Sequence, residues 1–357
     1  MIDFLIIGGG IAGISAGARL SHLGQVTVLE QEDALAYHAS GRSAALFEQN
    51  YGKPSTVALN TASRDYLTTA NGGVLSPRGI MIVAGADRAD DFAHDIKTMK
   101  LDPISMAQAM DLWPILNPET VDRAGYNPDA QDIDTDLLIQ NFAREIRANG
   151  GDIRTKSAVT AIQKTTTGWR VSAGEAFEAR MIINAAGAWV DQIAEMAGIA
   201  PLGVSPLRRS FARLPAPNDL DVSRWPMLFG PGEDWYAKPD AGAMLVSPAD
   251  EDLVTPHDAW ADDMVLAEGL ARYEHHVTCP VTQVTANWAG LRTFAPDREL
   301  VIGPDAVEPT FFWLAGQGGY GMQSSPAVSQ LAADLIGGMT SELPTDVIDR
   351  LRPNRFG

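Results

Sequence analysis

A short apolar run, Phe4-Leu5-Ile6-Ile7, passes directly into Gly8-Gly9-Gly10-Ile11-Ala12-Gly13. An apolar stretch this short, bounded by glycine, reads as a strand buried on both faces of a parallel sheet. Ile14 to Leu23 then reads as a helix, with the small residues Ser15, Ala16, Gly17 and Ala18 permitting close packing and Gly24 placed as its cap. Val26 to Leu29 forms a second β-rich run that ends on Glu30. Each glycine has a separate task. Gly8 permits the tight turn, Gly10 lets a pyrophosphate approach the backbone, and Gly13 lets the helix lie close to the strand. The helix start offers free N–H groups and a positive dipole end to that pyrophosphate. Glu30, 17 residues after Gly13, is placed to accept from ribose hydroxyls. The unit therefore holds a dinucleotide through its ADP half. Glu30 disfavours NADP, but the glycines do not separate FAD from NAD.

A second glycine cluster bears on that choice. Phe311 to Ala315 is another buried-strand run, followed by Gly316-Gln317-Gly318-Gly319-Tyr320-Gly321 and an expected helix from Ser325 to Ile336. Only 20 residues follow Gly337, and they include Pro344 and Pro353. They cannot supply the second strand and acid of a further dinucleotide unit. A glycine turn before a helix N-terminus instead suits the negative charge that a reduced flavin gathers on its pyrimidine side. The plain alternative is a turn that closes the sheet. Arg180 to Trp189 adds an apolar strand ending in the small residues Ala185, Ala186, Gly187 and Ala188, which permit a ligand at the sheet's carboxyl edge. Core packing explains those residues equally well. Contributions from both chain ends suit an extended cofactor such as FAD.

A chain of 357 residues exceeds one nucleotide-binding unit and suits two intertwined domains. The net charge of −18 argues against nucleic acid and anionic membranes as partners. A single cysteine, Cys279, excludes an intrachain disulfide and a cysteine-rich metal site. The N-terminal run lacks a basic flank and carries Asp3, so it does not read as a signal peptide. No stretch reaches the ~18 apolar residues that cross a bilayer. The chain is expected in the cytoplasm. Zinc-protease, P-loop and serine-hydrolase motifs are all absent from the sequence. Asp132-Ile133-Asp134-Thr135-Asp136 lacks the glycine and distal glutamate of a calcium loop and reads as the cap of a helix beginning near Leu137. No metal site is expected.

Several blocks resemble the D-amino acid oxidase-like flavoproteins, a family that includes glycine oxidase and sarcosine oxidase. They are Gly8 to Gly13 with Glu30, Tyr37 to Ala45, Asn184 to Trp189, Trp288 to Arg292, and Gly316 to Gln323. The D-arginine dehydrogenase branch is the nearest likeness, through Tyr51, Arg208-Arg209-Ser210 and Tyr236 to Asp240. The resemblance implies an α/β fold, with a Rossmann-like FAD-binding domain and a second α+β substrate domain on a mixed sheet. Residues 1–80, 146–200 and 290–357 are assigned to the first, and 81–145 and 201–289 to the second. It implies non-covalent FAD held by Gly8, Gly10, Ile11, Ala12, Gly13, Glu30 and Gln31. His38, Ser40, Gly41, Arg42, Ser43, Ala44 and Ala45 join from the next block, with Val159, Ala186, Gly187 and Trp189. Gly290, Arg292, Gly318, Gly319, Tyr320, Gly321, Met322 and Gln323 complete the set. No cysteine lies near Leu291 to Phe294 to anchor a flavin, and Cys279 is twelve residues upstream of Leu291.

Flavin oxidation of an amine needs little acid–base help beyond amine deprotonation, so the protein must chiefly orient the substrate. An arginine fork grips a carboxylate best. Arg292 and Arg209 are the candidates. Tyr51 and Tyr236 are placed to hydrogen-bond the same carboxylate or close the site, and Gly319 and Tyr320 match positions that offer a carbonyl to the substrate amine. The implied reaction moves a hydride from the α-carbon of a D-amino acid, or a small N-substituted amino acid, to flavin. The imino acid then hydrolyses to a 2-oxo acid. The electron acceptor stays open among oxygen, a quinone and an electron carrier. Leu46 and Gly79 stand where the D-arginine branch has a histidine and an acid, so a neutral or apolar side chain is expected, with Glu48 as a possible replacement acid. Two rivals remain: a 2-hydroxy acid dehydrogenase, and a non-catalytic FAD-binding subunit. The first needs a base for the hydroxyl proton, and the motif blocks hold no histidine apart from His38.

Overall fold

The computed structural model describes residues 1–356. Its first sheet grows from the N-terminal unit. Ile2–Ile7 pairs in parallel with Val26–Leu29 on one side and with the second half of Glu175–Asn184 on the other. Asp152–Arg154 extends the parallel sheet beyond Val26–Leu29, and Phe311–Ala315 extends it beyond Glu175–Asn184. Val301–Pro304 closes that edge antiparallel to Phe311–Ala315. The first half of Glu175–Asn184 continues past the parallel region and pairs with a hairpin, Ala161–Lys164 and Trp169–Ala173.

Three helices cover one face: Ile11–Leu20, Thr135–Ala148 and Gly321–Gly337. Leu138, Ile139, Phe142, Ala143 and Ile146 recur at helical spacing on the second of these and form its buried face. They pack with Ile6, Ile14, Leu20 and Val28, and burying each large aliphatic or aromatic side chain contributes about 1.5–3 kcal/mol. A Cβ on Gly17 would lie 2.8 Å from Cδ1 of Ile146, so glycine there sets the close approach of the two helices.

Two helix ends differ from the sequence reading. The first helix stops at Leu20 with Ser21 as its cap, not at Gly24. Gly24 serves another need, since a Cβ there would meet the Asp3 carboxylate at 2.8 Å. The last long helix begins at Gly321, four residues before the expected start, and carries Pro326 inside it. Proline has no N–H for the Met322 carbonyl. The Ser325 hydroxyl donates to that carbonyl at 2.9 Å instead. After Gly337 the described residues form a short helix, Thr345–Leu351, and a 3₁₀ turn, with no further strand.

The second sheet is mixed. Its central hairpin strands, Tyr236–Asp240 and Ala243–Ser247, lead on one side to Met227–Phe229, Ile80–Ala84, Arg123–Asn127 and Asp102–Ile104. On the other side lies Ser205–Pro215, paired antiparallel with Ala286–Phe294 along nine positions. Met227–Phe229 and Ile80–Ala84 run parallel, which makes the sheet mixed. Trp113, Trp225 and Trp235 fill one side of it. A small sheet of Leu46–Phe47, Gln131–Ile133 and Leu75–Pro77 lies apart from both.

Two elements cross the domain boundaries drawn from sequence. Thr135–Ala148 spans 145/146 yet packs against Ile11–Leu20 and Asp152–Arg154 of the first sheet, because its apolar face matches Ile11–Leu20. Ala286–Phe294 spans 289/290 as one unbroken strand of the second sheet. Asp134 caps Thr135–Ala148 by accepting from the Leu137 N–H at 2.9 Å. Among the described residues no cluster of metal-ligating side chains occurs, and no helix is long and apolar enough to cross a membrane.

Candidate active site

The parallel strands of the first sheet end together at Ile7, Leu29 and Asn184, and a cavity of about 310 Å³ opens beyond them. Gly8 sits at φ +112°, and a Cβ there would lie 2.4 Å from the Ala185 carbonyl oxygen. A Cβ on Gly13 would lie within 2 Å of the Gly8 carbonyl oxygen, so the helix start rests directly on the turn. Gly10, extended, leads into the helix. The Ile11 N–H donates to Ser40 Oγ at 3.0 Å, while the Ala12 amide has no acceptor among the described residues. Glu30 is buried at the cavity wall. Its carboxylate accepts the Gly9 N–H at 2.6 Å and the Glu32 N–H at 2.9 Å.

From the far side, Gly316 and Gly318 take positive φ angles of 71° and 52° and turn the chain into the helix starting at Gly321. Gln317 lines the cavity with a buried amide nitrogen that has no partner. An orphaned donor, a free helix-end amide, a buried carboxylate and a second helix N-terminus converge on one elongated space. That set fits FAD.

Of the residues singled out from sequence, Gly8, Gly10, Ile11, Ala12, Glu30 and Gln31 line this cavity, as do His38, Ser40, Arg42, Ser43 and Ala44. Val159, Ala186, Gly187 and Trp189 line it too, with Gly290, Arg292, Arg209, Gly318, Gly319, Gly321 and Met322. Others lie outside it. Gly13 packs behind the turn, and a Cβ on Gly41 would lie 2.4 Å from the Ala36 carbonyl oxygen. Gln323, 2% exposed, accepts the Glu48 N–H at 2.9 Å and is a core link between two segments. Arg42 lines the cavity with its stem, but its guanidinium is committed to the Ala259 and Ala289 carbonyls, each at 2.9 Å, and to Asp258 at 2.5 Å. Sequence reasoning missed His257 and Ala259, which lie at the cavity outside every motif block, and it assigned no role to Gln317 within the Gly316 to Gln323 block.

Beyond Gly319 and Arg292 a side pocket of about 60 Å³ continues from the main cavity. Leu46, Ile80, Met99, Met227 and Phe229 give it an apolar side. Tyr51, Tyr236, Ala45 and Glu48 complete its wall. The antiparallel register that sets Arg209 opposite Gly290 places both on the face that also carries Arg292 two residues on. The two arginines differ in their partners. Arg209 donates to the Asp250 carbonyl at 2.9 Å and pairs with Glu251 at 3.2 Å. Arg292 has no carboxylate within 4.0 Å among the described residues. Burial opposes its charge, but Tyr236, Tyr51 and Glu233 more than offset that and hold its pKa above the ordinary value. The buried Tyr236 hydroxyl has no hydrogen-bond partner.

Tyr51 donates its hydroxyl proton to Glu233 at 2.9 Å, so its oxygen offers only lone pairs to other groups. Glu233 was not among the residues expected from sequence. The Tyr320 carbonyl accepts from the Ser324 N–H at 3.1 Å and hydroxyl at 2.8 Å, whereas the Gly319 carbonyl accepts no bond among the described residues. Glu48 is also spoken for. Asn50 donates to one of its oxygens, at 3.0 Å from the backbone and 3.2 Å from the side chain, and Asn127 donates to the other at 3.1 Å. Burial lifts its pKa above the ordinary carboxyl value despite those bonds. Tyr126 fills the place of a side chain at Gly79, its hydroxyl oxygen 2.6 Å and its ring 2.8 Å from where a Cβ would be.

A nucleotide-binding parallel sheet joined to a mixed sheet across such a cavity defines a class, the FAD-dependent oxidoreductases. The chain belongs to the DAO family of FAD-dependent oxidoreductases, whose model matches residues 3–335. It is 27% identical to mitochondrial dimethylglycine dehydrogenase from Rattus norvegicus, over 99% of this chain but 45% of that protein. Among solved structures, glycine oxidase from Geobacillus kaustophilus superposes with a TM-score of 0.82 at 21% identity, covering 96% of each chain. L-proline dehydrogenase from P. horikoshii gives 0.84 at 20% identity, covering 99% of this chain and 97% of that one.

Proposed function

We propose that this protein oxidises the C–N bond of a small amino acid that carries a neutral side chain or an N-substituent. The observation that carries this reading is Arg292, a half-buried cation with no carboxylate within 4.0 Å among the described residues, at the mouth of the side pocket. A cation partly withdrawn from water without a paired anion is costly, and a substrate carboxylate relieves it. Arg292 grips that carboxylate through its planar fork, and the Tyr236 hydroxyl donates to it. Arg209, already paired with Glu251, steadies Tyr236, whose ring lies 5.8 Å from its guanidinium. The Gly319 carbonyl orients the amine. Together these groups present the α C–H to the cofactor.

Non-covalent FAD supplies the electron acceptor when bound. The Ala12 amide and the first helix end would hold its pyrophosphate, Glu30 its ribose, and the Gly318 to Met322 turn its ring system. The two domains proposed from sequence would then meet across the cavity, with Thr135–Ala148 in the first and Ala286–Phe294 in the second.

Substrate size follows from the side pocket. About 60 Å³ accepts a few methyl or methylene groups, and no free acid in its wall meets a guanidinium. Dimethylglycine dehydrogenase, glycine oxidase and L-proline dehydrogenase carry small or N-substituted amino acids in their names. The test is anaerobic addition of glycine, sarcosine, proline, D- and L-amino acids and 2-hydroxy acids to the holoenzyme, followed by visible absorbance. Bleaching by a small neutral or N-methylated amino acid is expected. Comparable rates with D-arginine and D-methionine would sink the side-chain preference, and bleaching by hydroxy acids alone would sink the C–N reading.

A further inference from the structure

Amine oxidation requires the substrate nitrogen to be neutral, yet an amino acid in solution carries an ammonium. We propose that Tyr51 and Glu233 form a proton relay that strips this ammonium, an inference that rests on the C–N reading above. One proton moves in two hops. The substrate N–H passes its proton to Tyr51 Oη while the Tyr51 O–H passes its own to Glu233 Oε2. The amine ends neutral, Tyr51 unchanged and Glu233 protonated.

Geometry assigns the direction. The Tyr51 proton already points at Glu233, 2.9 Å away, so the oxygen can only accept, with one lone pair facing the Arg292 guanidinium and the other the side pocket that it lines. Such an oxygen is mismatched to a carboxylate and matched to an ammonium. Glu233 is held in place from outside the site. Its backbone takes φ +54°, a left-handed conformation that is strained for a glutamate. Arg88 fixes the turn through the Pro231 carbonyl at 3.1 Å and the Asp234 carboxylate at 2.9 Å, and Asp95 accepts the Gly232 N–H at 2.7 Å.

The charged and titratable groups facing Glu233 are Tyr51, Arg292, Arg209, Asp95 and Tyr320. Burial raises its pKa, and the pull of Tyr51, Arg292 and Arg209 does not cancel that rise, so the carboxyl can retain a proton. The residue is half-buried, on a turn next to the exposed Gly232. Competing acceptors are occupied: Glu48 by Asn50 and Asn127, and Glu251 by Arg209 and Arg298.

Glu233→Gln tests the relay because glutamine accepts the Tyr51 hydrogen bond but cannot take its proton. With the holoenzyme, the rate of flavin reduction per unit of amino acid is followed anaerobically from about pH 6 to about pH 10. The variant must draw neutral amine from solution, so its ascending limb moves up toward the free ammonium pKa. The expected loss is roughly 10²-fold near pH 7, shrinking to about threefold near pH 10, with Tyr51→Phe following the same trend. An equal loss at every pH, or no loss, overturns the relay. Propionate, which has a carboxylate and no amine, is titrated into both enzymes through its perturbation of the flavin spectrum. Its Kd in the variant should be no more than about twofold weaker, since Glu233→Gln removes a nearby negative charge and takes no donor from the Arg292 grip. A tenfold weakening would make Glu233 part of that grip and overturn the assignment. A wild-type flavin that no amine bleaches fails the C–N reading and the relay with it, whereas bleaching with an unshifted variant profile sinks the relay alone.

Discussion

Arg292 illustrates how much one side chain's surroundings decide. Its sequence context, Gly290-Leu291-Arg292, names no partner, but in the fold Tyr236, Tyr51 and Glu233 act on the guanidinium and no carboxylate lies within 4.0 Å among the described residues. Arg292→Lys keeps the charge and loses the planar fork. Losing one charge-assisted hydrogen bond of ~1.5–3 kcal/mol lowers kcat/KM by about 10- to 100-fold, chiefly through KM. Steady-state assays with the best amine substrate check this, with FAD content unchanged as the control. A lysine enzyme as efficient as wild type would remove Arg292 from the carboxylate grip.

At the scale of elements, the segment 43–46 lines both cavities and must be held still. Strand Tyr236–Asp240 supplies Lys238, which donates to the Ala45 carbonyl at 2.9 Å and pairs with Asp132 at 2.8 Å. Asp132, on Gln131–Ile133, also takes Arg78 at 2.5 Å. All three side chains are largely buried, so solvent screens the pairs little. Asp132→Ala strands two cations and should cost about 3–5 kcal/mol, whereas Lys238→Met leaves the Arg78 pair intact and should cost distinctly less. Urea unfolding midpoints measure both, and equal losses would show that the two cations do not share one anion. The Asp132 variant should also bind FAD more weakly, because Ala44 and Ala45 lose their anchor.

Across the whole molecule the cofactor cavity draws on Gly8 and Gly10 to Ala12, on Ser40 and Arg42 to Ala44, on Ala186 to Trp189, on Gly290 to Arg292, and on Gly318, Gly319, Gly321 and Met322. FAD held in that cavity would tie together five segments separated in the chain and act as an interior strut. A ligand at a hundredfold its Kd stabilises the folded state by about 2.7 kcal/mol. Removing FAD should therefore lower the melting temperature by several degrees, and adding it back should restore the loss. Acid precipitation should leave the polypeptide colourless, since Cys279 packs, half-buried, against the second sheet's core and takes no part in the cavity.

The sequence by itself determined the nucleotide-binding unit, because its information is local. The Gly8 turn, the Gly13 contact and the Ile2–Ile7 strand arise from residues within one βαβ unit, where φ preference and apolar run length suffice. It also placed Arg292, Arg209, Tyr51 and Tyr236 as candidates together through a family resemblance. What it did not resolve was which of them keeps a free valence. Tyr51 and Glu233 stand 182 residues apart, and nothing in either neighbourhood announces their hydrogen bond. The commitments of Arg209 to Glu251, of Arg42 to Asp258 and of Glu48 to Asn127 are likewise long-range pairings. Only the tertiary structure decided them, because hydrogen-bond capacity is consumed by whichever partner the packed fold brings within about 3 Å.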